Sequence, residues 1–184
     1  MSNFENREIE LRAYDIDTEA LRETLQNLGA TALGTKEMQR AVFDVQPANP
    51  NKWIRLRNEG DKTTLAIKER ISDTVDGTGE VEMVVEDFDK ALLFLASLGN
   101  YTPRSIQETR RELYDFNGTE VSIDSWPRIK DLVEIEGASE EEVRAVAAQL
   151  GISADQLTAL SVEQYYLDTL GTDVKTTSLC FENE

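Results

Sequence analysis

Charged side chains recur at two-residue spacing in segments of this sequence that otherwise have the pattern of β-strands. The first such segment carries Glu8, Glu10 and Arg12, with Ile9 and Leu11 between them. Because the side chains of a strand alternate between its two faces, the three charges share one face and the two apolar residues share the other. Such a strand buries its apolar face and presents a polar wall on the opposite side.

Three further segments repeat this arrangement with other charges. One pairs Arg55 with Arg57, one pairs Glu80 with Glu82, and one pairs Glu134 with Glu136. A sheet rolled into a barrel with these faces inward would collect all of the charges in one lumen. Carboxylates bind hard cations, and arginines bind phosphate through charge-assisted hydrogen bonds. A lumen that contains both kinds of group predicts a polyphosphate ligand held together with Mg²⁺ or Mn²⁺.

The apolar pattern predicts the elements that position these charges. Strands are expected at 4–14, 36–46, 52–59, 62–70, 80–86, 104–116, 120–126 and 131–137, and helices from Asp17 or Thr18 to about Leu28, from Asp87 or Asp89 to Leu98, from Ser139 to about Leu150 and over 154–170. Ser139 and Glu142 have the spacing of a capping box, Ser161 is a plausible helix cap, and Asn117-Gly118 is typical of a hairpin turn. Residues 71–78 are expected to form a loop at a tunnel mouth.

These elements predict an α+β fold with an antiparallel eight-stranded β-barrel and flanking helices. We expect one domain over residues 1–184, with the barrel in 4–137 and the C-terminal helices in 139–170. A chain of this length can bury a substantial core.

The charged segments resemble, in their order and spacing, the motifs of the CYTH family, also called the triphosphate tunnel metalloenzymes. The matching segments are Glu8–Arg12 for the E-x-E-x-K signature, Trp53–Arg57 for the R-x-R strand, Thr64–Lys68 for the T-x-x-x-K strand, Gly79–Glu82 for the middle acidic strand, Arg110–Tyr114 for the second basic strand, and Val121–Asp124 with Leu132–Gly137 for the closing aspartate and E-x-E. The family includes class IV adenylate cyclases, thiamine triphosphatases and inorganic triphosphatases.

Two positions depart from the family pattern. Arg12 stands where the signature has a lysine, and a guanidinium differs from an ammonium in geometry although the charge is the same. If Arg111 is the arginine of the second basic strand, Thr109 stands where that strand often has a lysine. Arg110 is a candidate to take over the role of that lysine.

The charge inventory and the resemblance together give a set of candidate site residues. The candidates for substrate binding are Arg12, Arg40, Arg55, Arg57, Lys68, Arg110 and Arg111, and the candidates for metal ligation are Glu8, Glu10, Asp124, Glu134 and Glu136. Glu82 is the candidate for orienting an attacking water molecule, with Arg12 as a second catalytic candidate. Mg²⁺ usually takes only one or two carboxylates together with phosphate oxygens and water, so these acids cannot all be direct ligands.

Three functions fit this inventory. A metal-dependent triphosphatase would use water as the nucleophile, and its substrate would be inorganic triphosphate or an organic or nucleoside triphosphate. A class IV adenylate cyclase would use the 3′-hydroxyl of ATP and would release cyclic AMP and pyrophosphate. A non-catalytic module would hold polyphosphate or a nucleotide without turnover.

Composition narrows the alternatives further. The net charge is −17, so nucleic acid is not an expected partner, because a phosphate backbone requires a basic surface. The sequence has no histidine and one cysteine, Cys180, which excludes histidine-dependent nucleophilic catalysis, cysteine-cluster zinc sites and an internal disulfide. No secretory signal or membrane-spanning segment is recognisable, so we expect a cytoplasmic protein without a membrane partner, either a monomer or a homodimer.

Overall fold

The computed structural model describes residues 6–71 and 78–181, with side chains from Ile9 onward. Its elements are β1 (Asn6–Glu8), β2 (Glu10–Ala13), α1 (Thr18–Asn27), β3 (Thr31–Asp44), β4 (Lys52–Asn58), β5 (Thr63–Arg70), β6 (Thr78–Val85), α2 (Phe88–Ser97), β7 (Ser105–Phe116), β8 (Thr119–Ser125), β9 (Leu132–Glu136), α3 (Glu140–Gln149), β10 (Leu157–Thr158) and α4 (Val162–Leu170). Most of the loop expected at 71–78 lies outside the described residues.

The strands form one antiparallel sheet in the order β1-β6-β5-β4-β3-β7-β8-β9-β2-β10. Only Ile9 separates β1 from β2, so the opening segment pairs with β6 through one part and with β9 through the next. Because β1 and β2 are consecutive in the chain but lie at opposite ends of the strand order, the sheet curls into a barrel-like form. The predicted α+β fold, an antiparallel barrel-like sheet with flanking helices, is confirmed, but the described residues form ten strands instead of the eight expected.

Three apolar clusters form the core, and helices α1, α2 and α3 cover the outer face of the curled sheet. The first packs α1 and α3 against β2, β8 and β9 around Leu25 and Ile135. The second packs α2 against β3 and β4 around Phe43 and Leu56. The third joins α4 and the C-terminal segment to the sheet around Tyr166. Alternation along each strand therefore sends apolar side chains outward to the helices and leaves the inner face to polar ones.

Each helix begins at a side-chain cap of the kind that the sequence indicates. Asp17, Asp87, Ser139 and Ser161 are the N-cap residues, and each accepts a hydrogen bond from the backbone N–H three positions later. These bonds satisfy donors that the first helical turn cannot satisfy internally. Glu142 also accepts from the backbone N–H of Ala138, at 3.0 Å, which is a variant of the expected capping box.

The predicted elements differ from the observed ones in three places. The first strand is interrupted at Ile9, whose carbonyl accepts a hydrogen bond from Gly137. The third strand begins at Thr31, earlier than expected. The last helix begins only at Val162, because a turn and the short strand β10, which pairs with β2, precede it.

No helix in the described part of the chain is both long enough and apolar enough to span a membrane.

Candidate active site

A cavity of about 840 Å³ lies inside the curled sheet and is lined by the inward faces of its strands. Most of the candidate site residues contribute to its wall, namely Glu10, Arg12, Arg40, Arg55, Arg57, Lys68, Glu82, Arg111, Asp124, Glu134 and Glu136. The backbone of Glu8 belongs to β1, but its side chain lies outside the described part of the chain. The two-residue spacing read from the sequence thus brings these groups to one enclosed space.

One side of the cavity carries most of the cations, and we call it the basic wall: Arg40 of β3, Arg55 and Arg57 of β4, and Lys68 of β5. Neighbouring strands place acids beside these cations. The terminal nitrogen of Arg55 lies 2.9 Å from Glu80 and 3.1 Å from Glu82, and Lys68 lies 3.2 Å from Glu80. The carboxylates of β6 therefore fix the positions of Arg55 and Lys68 in the basic wall.

The opposite side carries most of the acids, and we call it the acidic wall: Glu120 and Asp124 of β8, Glu134 and Glu136 of β9, and Glu10 of β2. Arg111 reaches across it and donates to Asp124 at 2.7 Å and to Glu134 at 2.9 Å. Arg12 lies 2.7 Å from the second oxygen of Glu134 and also donates to Glu10. Glu134 thus bridges two guanidiniums in a position that is only 8% exposed.

The protonation of the acidic wall follows from these contacts. Burial alone would raise the pKa of Glu134, but Arg12 and Arg111 together hold it well below the ordinary glutamate value. Burial alone would lower the pKa of both guanidiniums, and the adjacent carboxylates instead raise it above the ordinary arginine value. Burial dominates at Asp124, whose pKa is raised. Glu134 is therefore ionised, and Arg12 and Arg111 are charged, across the range in which a phosphate ligand would bind.

Arg40 and Arg57 of the basic wall show the opposite electrostatic effect, because burial and neighbouring cations both disfavour their charged forms. Burial lowers the pKa of Arg40 to about 10; Glu163 opposes this change, and Arg55 and Arg57 add to it. Burial and Arg55 also lower the pKa of Arg57, although Glu59 lies 2.6 Å from its terminal nitrogen. Both shifts mean that further negative charge in the cavity would stabilise the charged forms of Arg40 and Arg57.

Carboxylates also meet across strands at the end of the acidic wall. Glu10 of β2 is the cross-strand neighbour of Glu136 in β9, and Glu136 is in turn the neighbour of Glu120 in β8. Like charges directly opposite one another are destabilising unless a cation lies between them. In the described part of the chain, no three acidic, histidine or cysteine side chains are grouped closely enough to hold a metal ion by themselves. One or two of these carboxylates with phosphate oxygens and water would still suit Mg²⁺.

A family model for the CYTH domain matches residues 6–159 of this sequence. The chain belongs to the CYTH family. CYTH proteins are typically metal-dependent enzymes that bind triphosphates and act as triphosphatases or cyclases. No curated protein sequence matches the chain.

Solved structures with the same fold extend this comparison. A conserved hypothetical protein from Pyrococcus furiosus superposes with a TM-score of 0.72 at 24% identity, covering 84% of this chain and 97% of its own. A candidate adenylate cyclase from Vibrio parahaemolyticus gives 0.72 at 14% identity, covering 86% and 97%. A candidate adenylyl cyclase from Hippeastrum, described as having a dominant triphosphatase activity, gives 0.58 at 15% identity, covering 89% and 95%. At these identities the three structures establish the fold that CYTH proteins share.

Arg110 does not belong to the cavity of this CYTH domain, contrary to the expectation from the sequence. Its guanidinium donates a hydrogen bond to Glu37, and the central carbon of the guanidinium lies 5.6 Å from the centroid of the Phe181 ring. The side chain is 49% exposed. Arg110 and Arg111 are adjacent in β7, so only one of them can face inward, and Arg111 does. Thr109 shares the inward face with Arg111 and is buried.

Several residues that line the cavity are not among the site residues expected from the sequence. Trp53 stands two residues before Arg55 in β4, and Glu120 stands four residues before Asp124 in β8, so strand alternation alone could have found both. Arg70 and Glu163, 3.7 Å apart, meet at the cavity where the segment from Thr158 to Gln164 covers it. No local signal in the sequence indicates that this segment returns to the cavity.

Proposed function

We propose that this CYTH protein is a triphosphatase that hydrolyses inorganic triphosphate or a nucleoside triphosphate and requires Mg²⁺ or Mn²⁺. The observation that carries the proposal is the cavity itself, in which a wall of cations faces a wall of carboxylates. Triphosphate carries about four negative charges near neutral pH, and each charge-assisted contact to a guanidinium is roughly twice as strong as a neutral hydrogen bond.

The charge balance of the cavity supports a requirement for metal ions. Seven cationic and eight carboxylate side chains line it among the described residues. These side chains therefore offer no net positive charge to neutralise a triphosphate, although we propose that the cations bind it. We propose that the one or two carboxylates that bind the metal directly come from Glu8, Glu10, Asp124, Glu134 and Glu136. A bound divalent ion would polarise the phosphate and offset developing negative charge.

Three of the cavity arginines retain a hydrogen-bond donor that no group in the described part of the protein uses. The Nε atoms of Arg12, Arg55 and Arg57 are buried and have no acceptor in the described part of the protein. Each of these guanidiniums is fixed through its terminal nitrogen by a carboxylate, so the side chain is oriented before the ligand arrives. Preorganised donors of this kind are the main source of stabilisation in phosphoryl transfer.

We assign the orientation of the attacking water to Glu82. Its carboxylate faces the cavity from β6, and its side chain is 31% exposed. The contact with Arg55 at 3.1 Å fixes its position. Water would attack the terminal phosphorus, the bond to the bridging oxygen would break, and one proton of the water would pass to Glu82 or to solvent.

Class IV adenylate cyclase activity is the second candidate, and one observation favours it. The cavity exceeds what a bare triphosphate needs, and Trp53 and Trp126 contribute aromatic rings to its wall. A purine base could stack on such a ring.

The decisive experiment incubates the purified protein with tripolyphosphate, ATP or thiamine triphosphate and with Mg²⁺, Mn²⁺ or excess chelator. We expect metal-dependent release of orthophosphate. Glu10→Ala and Arg57→Ala should each lower kcat/KM by about 100-fold, the loss typical for one transition-state contact. Arg110→Ala is the matched control, because Arg110 lies outside the cavity and its loss should leave the rate unchanged.

The products separate the three functions. ADP and phosphate from ATP identify a hydrolase, and cyclic AMP with pyrophosphate identifies a cyclase. Tight calorimetric binding of triphosphate without turnover identifies a binding module. Wild-type rates in both cavity variants would remove the proposed site.

A further inference from the structure

Arg40 differs from the other guanidiniums of the cavity in the groups that hold it. Arg12, Arg55, Arg57 and Arg111 each lie within 3 Å of at least one carboxylate. Within the described part of the chain, Arg40 forms no ion pair. Its Nε donates to the side-chain oxygen of Gln107, and its guanidinium carbon lies 4.4 Å from the ring centroid of Trp126. Both of these partners are neutral.

The amide of Gln107 can adopt only one orientation. Its nitrogen donates to the carbonyl of Val174 at 2.6 Å and to the hydroxyl of Ser105 at 3.1 Å. A carbonyl can only accept, so the amide nitrogen must face Val174 and the amide oxygen must face Arg40. Gln107 is 1% exposed, which leaves its side chain no room to turn.

The anchor of Gln107 comes from outside the matched CYTH domain. The family model ends at residue 159, whereas Val174 lies in the segment that follows α4. The side chains of Val174 and Leu179 are buried with Trp126 in the third apolar cluster. The backbone of Leu179 bonds to Ile106 and Glu108 of β7, on either side of Gln107. The C-terminal segment is thus fixed to the strand that carries the amide.

We infer that Gln107 is a positioning residue that holds Arg40 as a triphosphate-binding cation that forms no ion pair with a carboxylate of the described residues. This inference rests on the proposed function, because it assigns a role in gripping the same ligand. A carboxylate at this place would fix Arg40 equally well but would neutralise it. An amide fixes the guanidinium through Nε and leaves its charge and its terminal nitrogens to the cavity that Arg40 lines. Trp126 supports the flat face of the guanidinium without offsetting its charge.

Two substitutions of Gln107 test, one each, the hydrogen bond to Arg40 and the absence of a negative charge beside it. Gln107→Glu retains the shape of the side chain and introduces the carboxylate that this place lacks. Gln107→Met retains the approximate volume and removes the hydrogen bond to Arg40. We expect each variant to raise KM for tripolyphosphate at least tenfold, with kcat changed less than KM. Gln26→Glu and Gln26→Met, on the exposed face of α1, are the matched controls and should change neither constant.

A double-mutant cycle with Arg40→Met decides whether Gln107 acts through Arg40. If it does, Gln107→Met should weaken triphosphate affinity in the wild-type background and have no further effect in the Arg40→Met background. Additive losses would overturn the inference, because a residue that only supports the fold weakens the site whether or not Arg40 is present. Melting curves of all four proteins confirm that the comparison concerns folded protein.

The cycle measures binding, so its result tests the role of Gln107 independently of the proposed triphosphatase activity. Affinity for Mg²⁺-tripolyphosphate, measured by calorimetry, needs no turnover. A protein that binds triphosphate with a non-additive cycle but does not hydrolyse it retains the role of Gln107 and refutes the triphosphatase. A protein that hydrolyses triphosphate with an additive cycle retains the triphosphatase and refutes the role of Gln107.

Discussion

Glu134 connects the cations of the acidic wall to one another. Its two oxygens lie 2.7 Å from Arg12 and 2.9 Å from Arg111. Removing one partner from a buried ion pair is expensive, about 3 kcal/mol, because the remaining charges lose their compensation. We therefore expect Glu134→Gln to lower the free energy of unfolding by about that amount at pH 7 and to displace both arginines from their present positions.

The same contacts predict how stability depends on pH. The pKa of Glu134 is lower in the folded protein than in the unfolded chain, so its stabilising effect is complete above the ordinary glutamate pKa. It is lost progressively as the pH falls through the ordinary value towards the lowered one. The difference in unfolding free energy between wild type and Glu134→Gln should therefore shrink as the pH is lowered from about 5 to about 3.

Urea unfolding at several pH values measures this difference. Glu23→Gln, on the exposed face of α1, is the control and should show a small difference that does not change with pH. A difference between wild type and Glu134→Gln that stays constant from neutral to acidic pH would contradict the lowered pKa.

Single residues also show how far sequence reasoning reaches. Alternation along a strand is a local property, so the sequence alone is enough to expect Arg55, Arg57 and Glu134 on the inner face of a barrel. Alternation cannot decide which of two adjacent residues faces inward, and the prediction for Arg110 is wrong for that reason. Glu59 stands two residues after Arg57, so the same spacing could have indicated this partner. The anchor of Arg40, Gln107, depends on the register between β3 and β7, which no spacing within one strand encodes.

Helix α3 shows how an element outside the cavity supports the sheet without taking part in the chemistry. Ser139 accepts a hydrogen bond from the backbone N–H of Glu142 at 3.2 Å and so satisfies the first turn. Val143 and Ala147 of this helix are buried against the sheet. We expect Ser139→Ala to lower the free energy of unfolding by about 1 kcal/mol, the usual value of an N-cap. Catalytic constants should not change, because α3 lies on the outer face.

Ser97→Ala provides the control for this prediction. Ser97 lies at the end of α2 and donates to the carbonyl of Leu93, so it caps no free N–H group. Its replacement should leave stability nearly unchanged. Equal effects of the two substitutions, measured by urea unfolding, would show that the cap at Ser139 contributes nothing.

At the level of elements, the sequence is most informative where periodicity is strong. Helix α1, helix α2 and the β4–β5 hairpin lie within a few residues of their expected positions. The predicted helix over 154–170 is wrong in its first half, because Leu157 and Thr158 form the short strand β10, which pairs with β2. Pairing with a strand that is distant in sequence outweighs local helix propensity, and such long-range pairing leaves no local trace.

The whole molecule carries a net charge of −17, although its cavity is close to neutral. The excess acid therefore lies mainly on the outer surface, where like charges repel one another and destabilise the compact state. Raising NaCl from about 0.1 M to about 1 M shortens the screening length from about 10 Å to about 3 Å. We expect the free energy of unfolding to increase over this range.

Urea is the denaturant for this test, because guanidinium is itself a salt and would screen the charges. The buried ion pairs of the acidic wall should contribute little to the salt dependence, since they are shielded from solvent. An unfolding free energy that stays constant or falls as NaCl is added would mean that attractive surface ion pairs outweigh the net repulsion.

The opening segment, divided at Ile9 and shared between β6 and β9, has a consequence for the time course of folding. The cross-strand pair of Glu10 and Glu136 joins residues from distant parts of the sequence. Contacts of such large sequence separation form slowly, because the chain entropy lost in closing the loop precedes any gain from the contact. During synthesis, β2 must wait for β9 to leave the ribosome before the carboxylates of the acidic wall can assemble. A nascent chain that is still incomplete therefore lacks the assembled acidic wall, and the proposed metal site can form only after β9 has docked beside β2.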